Sequence, residues 1–285
     1  MSKHRQVTKH LKSLSEIKEI MSSMKTLSML ELRKLSLLIS NQERIVSCCE
    51  QMTSDFISYF PLQQTKETGT KNCLIVVGSE RGFCGDFNEQ LLELISTNTQ
   101  QPNKQYDAII AVGQKLCTHL ENHPQVVARL DGVSVTEESG DIIQNILNTF
   151  EQLQTESSYG SLQVMYYQHD TQAVATLSLL PPFENLQATS RQSYPPMLNL
   201  PPNQFFSELV EQTLFFRLHE IFYSSLKTEN EQRIKHLDAA IERLEKESEQ
   251  LEKKGRMLRQ EEITEEIEII LLNSSPARKD IFLKH

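Results

Sequence analysis

The distribution of glycine and proline constrains the fold of this chain more than any other feature of its sequence. Residues 203–275 contain no proline and one glycine, Gly255, and from residue 230 onward they are rich in Glu, Lys, Arg, Gln, Leu and Ile. These residue types lose little free energy on entering a helix. A continuous helix of this length would extend on the order of 100 Å, at about 1.5 Å per residue. The sequence therefore predicts a long C-terminal helix that needs a partner to pack against.

The N-terminal segment has the same character. Residues 3–60 contain neither proline nor glycine, and apolar residues recur in steps of three and four from Leu14 to Phe56, with a break at Ser28 and Glu31. This pattern fits either an amphipathic helix on a domain surface or one strand of a coiled coil, and its length favours the coiled coil. Residues 1–34 carry eight basic and three acidic side chains, whereas residues 229–270 carry 13 acidic and 8 basic ones. The opposite charges predict that the two long helices form an antiparallel pair.

The middle of the chain has a different composition. Nine of the ten prolines lie in residues 61–202, and eight of the nine glycines lie in residues 69–160. Short apolar runs alternate there with helical patterns, which predicts an α/β layer with a largely parallel sheet. The predicted strands are residues 73–77, 108–112, 162–167 and 173–180, and the predicted helices are residues 87–96, 114–121 and 140–153. The predicted division is a helix at 1–60, an α/β domain at 61–202, a helix at 203–275 and a polar tail at 276–285.

Composition excludes several classes of protein. The formal net charge is −9, from 29 basic and 38 acidic residues, which argues against a nucleic-acid-binding surface. No run of about 18 apolar residues occurs, so no membrane span is expected, and the basic first residues lack the apolar core of a secretory signal. The five cysteines are irregularly spaced, so neither a disulfide framework nor a zinc site is expected. Reduced thiols in a cytosolic compartment are the default expectation.

One local motif could carry chemistry, and it spans residues 79–88: Ser-Glu-Arg-Gly-Phe-Cys-Gly-Asp-Phe-Asn. It lies between a predicted strand and a predicted helix, where phosphate-binding loops occur. It lacks the glycine spacing of a dinucleotide site and the Gly-Lys-Ser/Thr ending of a P-loop. A tight turn that needs glycine dihedrals is the favoured interpretation. A Cys84 nucleophile at a helix N-terminus is the alternative.

No other constellation indicates catalysis. His119 and His123 have the i, i+4 spacing of a metal-chelating pair, but Pro124 follows at once and favours the end of a surface helix. No Ser-His-Asp set or carboxylate pair stands out. We therefore predict no catalytic residue, no cofactor and no metal site in this chain.

Three stretches share features with one known family. Residues 259–267 are similar to an Arg-Gln-x-x-Ile-Thr-x-Glu segment, residues 230–240 to a Glu-x-x-Arg-x-x-Ala-Met-x-x-Ala region, and residues 79–88 to a Ser-Asp-Arg-Gly-Leu-Cys-Gly-x-hydrophobic-Asn motif. Together they resemble the gamma subunit of F-type ATP synthases. The chain departs from the family pattern at Glu261 and Glu262, where small residues are usual, and at Glu31, where a basic residue is usual. These departures indicate a divergent member.

The resemblance implies an antiparallel coiled coil of both terminal helices plus a Rossmann-like α/β domain. It further implies a central rotary stalk inside a hexamer of alpha and beta subunits, with the epsilon subunit and the membrane c-ring bound at its foot. Rotation would couple ion translocation, such as hydrogen ion transport, to ATP synthesis or hydrolysis on the beta subunits. The chain would then be a non-catalytic, peripheral membrane protein on the cytoplasmic side of the inner membrane.

The resemblance also assigns site residues position by position. The residues expected to contact the hexamer are Met24, Lys25, Arg233, Arg259, Gln260, Thr264 and Glu266. The residues expected to build the structural motif are Ser79, Arg81, Gly82, Cys84, Gly85 and Asn88.

Two other functions remain open from the sequence. The chain could be a non-rotary coiled-coil adaptor whose α/β head binds a protein or metabolite, in which case we expect a stable homo-oligomer. It could also be an enzyme that uses Cys84 or the 79–88 loop, in which case Cys84→Ala should abolish turnover.

Overall fold

Two long helices account for nearly half of the chain. The computed structural model describes residues 3–60, 69–99, 106–183 and 194–273. Helix α1 is Lys3–Tyr59 and helix α5 is Pro202–Asn273. Three shorter helices lie between them: α2 (Phe87–Thr99), α3 (Gln114–His119) and α4 (Ser139–Glu156). The predicted tail at 276–285 and residues 61–68 of the predicted middle domain lie outside the described residues.

Contacts divide the chain into two compact units. The helical unit combines Met1–Thr26 with Leu237–His285, and the α/β unit is Leu27–His236. Parts of both long helices thus belong to the α/β unit. The three-way division at residues 60 and 202 remains a prediction.

A five-stranded sheet forms the centre of the α/β unit, in the order β3-β2-β1-β4-β5. Its strands are β1 (Lys71–Val77), β2 (Ala108–Val112), β3 (Val126–Leu130), β4 (Tyr159–Gln168) and β5 (Ala173–Leu180). The first four pair in parallel and β5 pairs antiparallel with β4. Strand order 3-2-1-4 is that of a Rossmann-like sheet. The predicted α/β fold class is confirmed, although the sequence did not predict β3, an edge strand whose side chains are only half-buried or exposed.

The two faces of the sheet bury two separate cores, because successive side chains of a strand point to opposite faces. On one face, Ile75 packs with residues of α1, α4 and α5, including Leu35, Ile143 and Phe222. On the other face, Leu74 packs with residues of α2 and α3. Full burial of each such aliphatic or aromatic side chain contributes about 1.5–3 kcal/mol. The first part of α5 therefore docks onto the sheet through its apolar residues.

In the helical unit, α1 and α5 run antiparallel. Lys18 Nζ lies 2.7 Å from Glu245 Oε1, and Lys25 forms an ion pair with Asp238. Residue numbers therefore rise along α1 in the direction in which they fall along α5. Gly255 is buried, and a Cβ built on it would lie 3.4 Å from Cγ1 of Val7. The basic N-terminal and acidic C-terminal segments thus pair as their charges predict. Among the described residues, no helix combines the length and apolarity needed to cross a membrane.

Candidate functional site

The 79–88 loop, which joins β1 to α2, is held together by its own side chains. The Ser79 backbone N–H donates to Asn88 Oδ1 (3.0 Å), and Asn88 Nδ2 donates to Ser79 Oγ (2.8 Å). Gly85 has φ of +64°, and a Cβ at this position would lie 2.0 Å from His236 Nε2. Glycine is therefore required there for both conformation and space. These contacts support the interpretation of the motif as a structural turn.

The thiol of Cys84 is poorly suited to act as a nucleophile. It is 4% exposed and donates to Ser79 Oγ at 3.3 Å and to the Arg81 carbonyl at 3.7 Å. Burial raises the pKa of Cys84. Because the thiolate is the reactive form, this environment disfavours the enzyme hypothesis built on Cys84.

The neighbouring backbone N–H groups are also occupied from within the chain. Glu80 Oε2 accepts hydrogen bonds from the N–H of Gln114 (2.8 Å) and from the N–H of Gly132 (2.7 Å). Both donors follow the carboxyl ends of parallel strands, where α/β proteins of this type usually bind ligands. A carboxylate already bonded there disfavours a phosphate ligand, since like charges repel.

Arg233 extends from α5 onto the same loop. Its Nε donates to the Gly82 carbonyl (3.1 Å) and its Nη2 to the Arg81 carbonyl (3.3 Å). It also forms a buried ion pair with Glu229, one helical turn earlier, and is itself 5% exposed. Its guanidinium is thus directed inward. Arg233 thus joins the loop to α5, and the hexamer contact expected of it from the sequence remains a prediction.

Met24 and Lys25 lie on α1 in the helical unit, and both are half-buried. The Lys25 ammonium forms an ion pair with Asp238 of α5, so part of its charge is neutralised within the chain. The hexamer contact expected of these two residues remains a prediction.

The remaining predicted contact residues lie close together near the end of α5. Arg259, Gln260, Thr264 and Glu266 are all exposed. The Thr264 hydroxyl donates to the Gln260 carbonyl at 2.9 Å, within the helix. Arg259 and Glu266 have no ion-pair partner among the residues that the structure describes. We name these four residues, with the exposed Ile263 and Ile267 between and beside them, the tip surface.

The predicted contact residues are divided between the two units. Arg233 belongs to the α/β unit, whereas Lys25 pairs with α5 at Asp238, 21 positions before Arg259. The tip surface combines exposed charged and apolar side chains, which is typical of a protein-binding face. It is the strongest candidate site of the chain.

Sequence reasoning missed three acidic residues with specific partners. Glu229 could have been found, since it precedes Arg233 by four positions on a predicted helix. Glu80 lies inside the quoted motif, but its two N–H partners follow other strands. Glu31 binds Thr136, 105 positions away, and no local pattern indicates that contact. In the described part of the chain, no group of three or more His, Cys, Asp or Glu side chains is arranged to hold a metal.

Comparison with known proteins assigns the family. A family model described as ATP synthase matches residues 3–271. The chain belongs to this ATP synthase family. The ATP synthase gamma chain of Clostridium botulinum is 23% identical over 275 residues, covering 93% of this chain and 95% of that protein. The ATP synthase gamma chain of Rickettsia bellii is 29% identical over 125 residues, covering 40% and 43%.

Solved ATP synthase structures share the fold. A chain in the rotor of the Euglena gracilis mitochondrial ATP synthase, in rotational state 1, is similar with a TM-score of 0.59 and 14% identity, covering 91% of this chain and 98% of that one. A chain in the OSCP/F1/c-ring assembly of the same enzyme, in rotational state 3, gives a TM-score of 0.61 over 95% and 93%. These similarities confirm the predicted combination of long helices and an α/β domain.

Proposed function

We propose that this chain is the gamma subunit, the central rotary stalk, of an F-type ATP synthase or ion-pumping ATPase. The observation that carries this proposal is the extent of the family match, which runs from residue 3 to residue 271. It includes both long helices as well as the α/β unit. An adaptor that shared only a Rossmann-like head with this family would match in the middle of the chain alone.

The stalk acts through unequal contacts and carries out no ATP chemistry itself. A rod whose sides differ can bias each surrounding catalytic subunit toward a different conformation as it turns. The tip surface provides such a difference, since exposed Arg259 and Glu266 lie beside exposed Ile263 and Ile267. Rotation driven by ion translocation would in this way be coupled to ATP synthesis on the beta subunits, and ATP hydrolysis would drive the reverse.

The proposed partners follow from this role. The tip surface would contact the hexamer of alpha and beta subunits, and the α/β unit would bind the epsilon subunit and the membrane c-ring. The chain would be held at the cytoplasmic side of the inner membrane through these partners. Arg217, Glu50 and Gln42 tie α1 to α5 inside the α/β unit, so this end of the stalk is cross-linked for transmitting torque.

Purification from the native source, followed by subunit counting, tests the proposal. We expect one copy of this chain with three alpha-like and three beta-like chains. A tag on a beta-like chain should recover the same complex as a tag on this chain, which controls for loss of subunits. Recovery of this chain as a free homodimer would overturn the stalk and favour the adaptor.

A further inference from the structure

Glu31 of α1 is buried where the family pattern has a basic residue. It is 9% exposed, and its Oε2 accepts hydrogen bonds from Thr136 Oγ1 (2.8 Å) and from the Thr136 backbone N–H (3.3 Å). Its Oε1 accepts from Lys34 Nζ at 3.0 Å. Both carboxylate oxygens are therefore bonded, as a buried charged group requires. A Lys or Arg at this position could not accept from Thr136.

A second contact joins α1 to the same segment. Lys34 Nζ also lies 2.9 Å from Glu137 Oε1. This bond to Glu137 and the bond to Glu31 raise the pKa of Lys34, and Lys34 lowers the pKa of Glu137. Four residues, Glu31, Lys34, Thr136 and Glu137, thus form one network between α1 and the connection from β3 to α4. We call it the Glu31 clamp.

The same connection is bonded to α5. Ser139 Oγ donates to the Thr136 carbonyl at 2.8 Å, and it lies 3.4 Å from His219 Nδ1 and 3.4 Å from Tyr223 Oη. Burial lowers the pKa of His219, so its ring is neutral near pH 7. Residues 136–139 therefore contact α1 on one side and α5 on the other.

Directional bonds at Glu31 act together with apolar packing. Leu35 and Ile39 of α1 are buried in the core of the α/β unit and decide which face of the helix packs on the sheet, but apolar contacts are themselves non-directional. A charge-assisted hydrogen bond depends steeply on angle and distance. The Glu31 clamp can therefore fix the rotational setting of α1 relative to the sheet.

We propose that Glu31 is a positioning residue for torque transmission. It holds α1 at a fixed angle on the α/β unit, through Thr136, so that the helix and the sheet turn together. This role rests on the proposed function as a rotary stalk. It is specific to chains with an acidic residue at this position.

The test uses the assembled complex in sealed vesicles, with ATP hydrolysis and ions moved per ATP both measured. Glu31→Ala should leave hydrolysis nearly unchanged and lower the ions moved per ATP severalfold. Glu31→Gln should restore most of the ratio, because its amide oxygen still accepts from Thr136. Thr136→Val, which removes the hydroxyl and keeps the N–H, serves if Glu31→Ala fails to fold, and should lower the ratio to a smaller extent. Glu16→Ala is the matched control, since Glu16 lies on the same helix in an exposed pair with Lys12.

The contrary outcomes are distinct. If Glu31→Ala or Thr136→Val weakens the fold but leaves the ions moved per ATP at the wild-type ratio, Glu31 has only a structural role and the proposal is overturned. Failure of Glu31→Gln to restore the ratio would also overturn it. Failure of the proposed function would appear differently, since the wild-type complex itself would then hydrolyse ATP without moving ions.

Discussion

Glu229 is a buried carboxyl whose charge is costly even beside its partner. It is 4% exposed on α5 and forms its ion pair with Arg233. Burial raises the pKa of Glu229 to about 7, and the attraction of Arg233 opposes this shift. Protonation of the Glu229 carboxyl differs from removal of its side chain. When Glu229 is protonated, the hydrogen bonds from Arg233 to the loop carbonyls stay in place. Near neutral pH, this carboxyl therefore links the stability of the fold to proton binding.

We predict that this linkage makes the α/β unit more stable at pH 5 than at pH 8. A folded-state pKa of about 7, above the ordinary value of 4.5, means that the stabilisation is fully present below pH 4.5 and is lost as the pH rises through about 7. The loss amounts to at most about 3 kcal/mol, at about 1.36 kcal/mol per pKa unit. Glu229→Gln should remove this component of the pH dependence. The measurement is the free energy of unfolding at each pH, from denaturant unfolding followed by tyrosine fluorescence. Equal pH profiles for the wild type and for Glu229→Gln would contradict the prediction.

Arg259 differs from Glu229 because its charge is exposed and is not buried in the fold. Because it has no ion-pair partner in the described part of the chain, Arg259→Ala should leave the free energy of unfolding within about 0.5 kcal/mol of wild type. It should lower the ATP synthesised per ion translocated in the assembled complex. Arg256→Ala is the matched control, since Arg256 is an exposed arginine on the same helix, 3.8 Å from Glu252. Equal coupling in both variants would count against the proposed tip contact.

At the scale of the element, the two long helices are matched by charge. Lys18 with Glu245 and Lys25 with Asp238 are seven residues apart on both helices, so the two pairs define one antiparallel register. Each of these partly exposed pairs contributes only about 0.2–1 kcal/mol.

Charge reversal tests this register. Lys18→Glu should destabilise the helical unit by about 1 kcal/mol, because two carboxylates then face each other. Adding Glu245→Lys should restore most of the loss. Thermal unfolding followed by circular dichroism at low salt measures both, and high salt should shrink the effect. Additive losses in the double variant would show that the two side chains do not interact.

The whole molecule consists of two units with different cores. All seven tyrosines lie between residues 27 and 236, and the chain has no tryptophan, so tyrosine fluorescence reports on the α/β unit alone. The α/β unit has a sheet with a core on each face, whereas the helical unit depends on one pair of helices. Both cores of the α/β unit consist of residues that belong to this unit, so we expect the α/β unit to fold by itself.

Removal of residues 259–285 tests this division of roles. The truncated chain should keep the wild-type tyrosine-detected unfolding midpoint, since every residue of the α/β unit is retained. In the assembled complex it should hydrolyse ATP with little or no ion movement, because the tip surface is gone. A truncation after residue 272 keeps the tip surface and provides the control. A large fall in the unfolding midpoint of the 259–285 deletion would contradict the independence of the α/β unit.

The long helices and the α/β class could be predicted from the sequence, because both follow from local properties. A proline-free run of good helix formers lowers the free energy of a helix wherever it lies, and short buried apolar runs such as residues 108–112 favour strands. The antiparallel pairing was also accessible, since the charge difference between residues 1–34 and 229–270 is a sum over composition. The tip surface was predicted from its motif, and the structure adds that its side chains are exposed.

Contacts between residues that are far apart in the sequence could not be predicted and are seen in the folded chain. The half-buried edge strand β3 is recognised by its pairing with β2, since its five residues have no buried run of their own. Arg233 matches a partner-binding position in sequence, yet the approach of the 79–88 loop turns its guanidinium inward. Nothing in the sequence around Glu31 indicates its hydrogen bond to Thr136, which is 105 positions away. Such contacts are set by the packing of the sheet against α1 and α5, which brings together residues that no local pattern connects.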